Sequence, residues 1–89
     1  MSSQAIASPD ELEHFARELK QFTTQLRDST SRLNGQFAHL SDTWRDQEQA
    51  KFAREFEQTM RVLQQFMRSA DQQIPVLQRK AQHLRAYMK

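Results

Sequence analysis

The stretch Ser41-Asp42-Thr43-Trp44-Arg45-Asp46 lies at the middle of an 89-residue chain and separates two runs whose apolar residues recur every three and four positions. That interval is the period of an α-helix with one buried stripe. Small and acidic residues breaking two such runs predict the turn of a hairpin, and the only tryptophan of the chain falls inside the break. The expected fold is all-α: an antiparallel two-helix hairpin with a central Trp-x-Asp turn, forming a single domain.

Working upstream, Ser8-Pro9-Asp10-Glu11 combines a serine N-cap, proline at the first helical position and glutamate three residues after the cap. Leucine then recurs every seventh position at Leu12, Leu19, Leu26, Leu33 and Leu40, with Phe15 and Phe22 supplying the intervening step of three. This heptad-like seam predicts helix 1 over about 9–40. Asn34-Gly35 is a point of local flexibility rather than an end, because the leucine phase survives across it and Phe37 reinforces the stripe.

Downstream, Asp46 and Gln49 form a second capping arrangement, which starts helix 2 at about 47. Its seam runs Ala53, Phe56, Met60, Leu63, Met67, Ala70, Ile74, Leu77, Ala81, Leu84 and Met88, with no polar exception. The helix is expected to reach about residue 88, with a kink at Pro75, where the ring removes one backbone donor. Phe52, Phe66 and Tyr87 occupy the adjoining column and widen the apolar stripe beyond what one helix partner covers. At 1.5 Å per residue the helices extend roughly 48 and 63 Å, so the second overhangs the first. A chain this small buries a limited share of its surface, and the surplus stripe predicts that two hairpins pair into a four-helix bundle dimer. The interface and core seam is assigned to Leu12, Leu19, Leu26, Leu33, Phe56, Leu63, Phe66, Met67, Leu77 and Leu84.

Composition excludes several classes. Cysteine is absent and glycine occurs once, which removes disulfide scaffolds, thiol nucleophiles and Gly-rich phosphate loops. The histidines His14, His39 and His83 are far apart, and Glu11-Leu12-Glu13-His14 is a lone Glu-x-x-His on the exposed side of its helix, so no metal or other cofactor is expected. The seam methionines read as core. No run approaches the roughly 20 apolar residues that span a bilayer, and Met1-Ser2-Ser3-Gln4-Ala5 does not resemble a cleaved leader. The reading is non-enzymatic, with a cytoplasmic location or export by a route independent of a signal peptide.

The net charge is +2, too small to argue for nucleic acid, but its distribution is uneven. Asp10, Glu11, Glu13 and Glu18 crowd the beginning, whereas Arg79, Lys80, Arg85 and Lys89 follow the last acid, Asp71. A hairpin brings these regions together. Two readings stay open: charge complementarity within the chain, or a docking tail of Arg79, Lys80, Arg85, Tyr87 and Lys89.

With these residues in place, the chain resembles the WXG family of small helical hairpins, which are substrates and partners in type VII secretion. The resemblance rests on Ser8-Pro9-Asp10-Glu11-Leu12, on the turn motif Trp44-Arg45-Asp46, and on Ala50 and the Phe52 to Phe56 pattern after it. It covers nearly the whole chain. Asp46 stands where the family usually has glycine, and as an acidic N-cap it can still start the second helix. Exported members often end in Tyr-x-x-x-Asp/Glu, whereas Tyr87-Met88-Lys89 carries no such acid. The resemblance implies action through protein–protein contact, with itself or a related small helical protein as partner and an FtsK-like secretion ATPase as a further one. The alternative it leaves is a cytoplasmic adaptor or assembly subunit that is not exported.

Overall fold

In the computed structural model, which describes residues 7–88, two helices make up the fold: α1, Pro9–Leu40, and α2, Gln47–Tyr87. Each begins at the cap its sequence specifies. The Ser8 hydroxyl accepts the Glu11 N–H at 3.3 Å, and Asp46 Oδ1 accepts the Gln49 N–H at 2.9 Å. These bonds satisfy amide donors that have no partner inside the helix. Both helices run unbroken past their irregular residues. Gly35 keeps helical backbone with a negative φ, and α2 continues through Pro75. The ring of Pro75 costs that turn one N–H donor, the one that would serve the Asp71 carbonyl.

The helices are antiparallel. Phe37 meets Phe52 and Phe56 near the turn, Phe22 meets Phe66 midway, and Glu13 meets Arg85 at the open end, so ascending positions in α1 pair with descending ones in α2. The described Cα atoms form a slab of 64 × 24 × 14 Å, which is one helix thick. Its core is a single seam. From α2 it takes Met60, Met67, Ala70, Ile74 and Ala81, and from α1 it takes Ala16 and Thr23.

The α1 side of that seam departs from the sequence expectation. The leucines pair with the residues four positions on, Ala16, Thr23, Thr30 and Phe37, instead of with Phe15 and Phe22, which are 57% and 51% exposed. Helix packing explains the difference. Small side chains at the contact line let the backbones approach, and Ala16 and Thr23 face a helix whose own contact line includes Ala70 and Ala81. Thr23 is tolerated there because its hydroxyl donates to the Lys20 carbonyl at 2.9 Å. The phenylalanines are displaced to the flank. At the far end, Met88 caps α2 and is 67% exposed, so the seam stops short of it.

Candidate functional site

The two edges of the slab differ in chemistry. One is ionic: Arg27 reaches Asp71 at 2.6 Å, and Arg85 bonds both Glu13 and Asp10. These hydrogen bonds, the one to Glu13 foremost and the one to Asp10 next, raise the Arg85 pKa above its ordinary value and hold it charged. The other edge is apolar. Phe22 and Phe66 meet edge to face with centroids 5.9 Å apart, and Phe15, Leu33, Leu40 and Phe52 extend the strip along the slab. Val62 and Val76 flank it on α2.

Near the turn the strip deepens into a hollow of about 200 Å³ lined by Leu33, Gln36, Phe37, Leu40, Phe52 and Phe56. An aromatic cluster builds it. Phe37 sits 4.9 Å from Phe56 and 5.6 Å from Phe52, and Phe52 and Phe56 stack with planes 16° apart. Trp44 joins from the turn, its ring 5.8 Å from Phe52. It is half-buried. Two neighbours fix the turn around it: Arg45 Nε donates to the Ser41 carbonyl at 3.4 Å, and the Gln49 amide donates to the Ser41 hydroxyl at 3.3 Å. Arg45 thereby places positive charge at the carbonyl end of α1.

Of the seam residues named from sequence, Met67 is buried, and Leu12, Leu19, Leu26, Phe56, Leu63, Leu77 and Leu84 are half-buried. Leu33 and Phe66 are exposed on the apolar edge. The proposed tail is divided. Arg79 and Lys80 face solvent, and Tyr87 is 83% exposed with its ring 6.3 Å from His83. Arg85 is committed to α1, which favours the reading of charge complementarity for that residue. Lys89 lies outside the described residues. Ala16 and Thr23 are core residues that the sequence reading missed, and steps of four from Leu12 and Leu19 are the signal that finds them.

Among the described residues no cluster of three His, Cys, Asp or Glu side chains could hold a metal. No helix of those residues is long and apolar enough to cross a membrane.

Comparison with solved structures gives the same fold. A selenomethionine-labelled crystal structure of EsxB, a secreted protein of Bacillus anthracis strain Sterne, is 27% identical, with 99% of this chain and all of that one covered at a TM-score of 0.80. The wild-type EsxB structure in a second crystal form is 29% identical over 93% of this chain and 95% of that one, with a TM-score of 0.77. No curated protein sequence matches the chain significantly. The family profile described as proteins of 100 residues with WXG matches residues 4–87. Over that span the Trp-x-Asp turn, the two capped helices and the hairpin they form fall within one family, and the chain belongs to the WXG100 family.

Proposed function

We propose that the chain is a non-catalytic binding protein of the type VII secretion class, a substrate or co-secretion partner whose working form is a four-helix bundle of two hairpins. The observation that carries this reading is the unequal chemistry of the two edges. Phe15, Phe22, Leu33, Leu40, Phe52 and Phe66 all lie on one side of the slab and remain 41–57% exposed. A contiguous strip of this kind marks an interaction surface. Completing the burial of each side chain against a partner is worth about half of the 1.5–3 kcal/mol of full burial, and six together are large beside the stability expected of an isolated hairpin.

In this reading a second copy runs in the opposite direction, so that the large Phe22–Phe66 pair of one hairpin can be set against the smaller Ser29 and Thr59 of the other. Export is supported by the likeness to EsxB, described as secreted, and an FtsK-like ATPase is the partner that would drive it.

Two measurements test the proposal. Light scattering at micromolar concentration should give twice the chain mass, or a stoichiometric complex with a small helical protein that co-purifies. A well-folded monomer would overturn the bundle. The tagged chain should reach the culture filtrate in cells with the ATPase and stay inside cells lacking it. Retention in both, with the bundle intact, would identify an intracellular adaptor instead.

A further inference from the structure

The side of α2 opposite the seam carries a pattern that neither edge accounts for. Reading outward-facing positions in steps of three and four gives Lys51, Arg54, Gln58, Arg61, Gln65, Arg68, then Gln72 and Arg79 across Pro75. All are exposed. Arginine and glutamine alternate strictly from position 54 to 72, and no acid occurs anywhere on this ridge. The acids of α2 lie to the sides: Asp71 on the ionic edge with Arg27, Glu57 bonded to Arg61, and Glu48 and Glu55 toward the apolar edge. The corresponding outer positions of α1 are mixed, with Asp10, Arg17 and Asp28 among them.

Nothing in the packing of the hairpin requires this segregation. Arg61 pairs with Glu57 at 2.8 Å, an exposed contact that a partner carboxylate could replace, whereas among the described residues no carboxylate pairs with Arg54, Arg68 or Arg79, and Arg68 donates to the Gln65 amide oxygen at 3.2 Å. A ridge that served only solubility would gain as much from interspersed acids, which also support a helix through pairs four residues apart. Keeping acids off it leaves a row of cations with Glu57 alone bonded to it from the side.

We propose that this ridge docks an acidic α-helix of a partner protein, laid along α2 with carboxylates facing the arginines. Arg54, Arg61 and Arg68 are a heptad apart, so their guanidinium groups recur at about 10.5 Å along the axis, the interval at which a second helix repeats one face. Guanidinium is the cation whose planar donors match a carboxylate in two parallel bonds. The intervening glutamines donate and accept, so they tolerate polar neighbours without adding charge.

Other anionic partners fit less well. Single-stranded nucleic acid is disfavoured because the ridge has no aromatic residue to stack on a base, and the chain's net charge of +2 is small for a phosphate-backbone binder. Membrane-surface helices combine basic residues with an apolar face that inserts, and here the apolar strip lies away from the ridge. Gln72 borders the strip beside Phe15, but Arg54, Arg61 and Arg68 line no part of it and stay open when two hairpins pair.

The test uses the full chain and a labelled model α-helix bearing glutamate at every seventh position, with fluorescence anisotropy as the readout at low and physiological salt. The wild type should bind this helix, weaken as salt rises, and bind poorly to a helix with the same glutamates irregularly spaced. The combined variant Arg54→Gln, Arg61→Gln, Arg68→Gln should lose about tenfold or more in affinity, the scale of losing charged contacts at an interface rim. Its helicity and mass should be unchanged. Arg17→Gln with Arg32→Gln on α1 should bind like the wild type. The proposal is overturned by no binding at low salt, by equal binding of both helices, or by a triple variant as competent as the wild type. Tighter binding to a DNA duplex or to phosphatidylglycerol vesicles than to the spaced-glutamate helix would overturn it in favour of nucleic acid or membrane.

Discussion

Phe22 and Phe66 face each other across the two helices at 5.9 Å, with ring planes 88° apart, yet 51% and 41% of their surfaces remain open. They flank the buried seam instead of filling it, so truncating them should weaken self-association more than folding. Phe22→Ser with Phe66→Ser should weaken self-association by about threefold to tenfold per ring, since about half of each ring's 1.5–3 kcal/mol of full burial remains to be gained at an interface. Sedimentation across a concentration series checks this. Helix content should persist wherever the monomer folds, and an unchanged dissociation constant would remove these rings from the interface.

The small residues of the seam make the opposite prediction. Ala70 is essentially buried, at the level of Ala16 and Ala81, so Ala70→Leu must push the helices apart. Overpacking of this kind costs about 1–3 kcal/mol. Thermal unfolding should show the loss, whereas Val62→Leu, on an open flank, should stay close to the wild type.

Gly35 should be improvable. A Cβ built there meets nothing within 4 Å, and the backbone is already helical with a negative φ. Gly35→Ala should therefore stabilise the protein by about 0.4–1 kcal/mol, mainly by restricting the unfolded chain. A lowered melting temperature would show that helix 1 needs a soft point at this position.

At the turn, Asp46→Ala removes the acceptor of the Gln49 N–H and should cost about 0.5–2 kcal/mol, whereas Asp46→Gly should cost only a few tenths. Denaturant midpoints for the two variants, compared at constant slope, are the check. Equal losses would mean that the backbone shape of the cap matters more than its oxygen.

The pairs at the open end should respond to salt. Arg85→Ala and Glu13→Ala should each speed amide exchange in the last turns of α2, and the double variant should lose less than the sum of the two. Added salt should shrink the coupling. Additive losses at low salt would show that the two side chains act independently.

How much of this was legible differs from one element to the next. The caps at Ser8 and Asp46 could be read because capping is local chemistry within four residues. The α2 stripe could be read because each apolar residue in it belongs to one face. Helix 1 was harder, since Leu12 and its heptad partners are compatible with Phe15 and Phe22 on one side or with Ala16 and Thr23 on the other. Hydrophobicity favours the first choice, and close approach of the backbones selects the second. The pairing of Arg85 with Glu13 and Asp10 depends on which residues the antiparallel register brings together, which charge clustering suggests only coarsely. Trp44 could be placed in the turn, but its contact with Phe52 could not be read, because it depends on how the turn folds back onto α2.

The one-helix-thick slab has a mechanical consequence. Each layer of the seam touches only the layers above and below it, so stability accumulates along one dimension, as it does in stacked repeats. Such an object opens like a zipper, from the free ends toward the turn, and the missing backbone donor at Pro75 marks a natural place for the unzipping to pause. The closed end, fastened by the aromatic cluster of Phe37, Phe52, Phe56 and Trp44, would be the last part to let go.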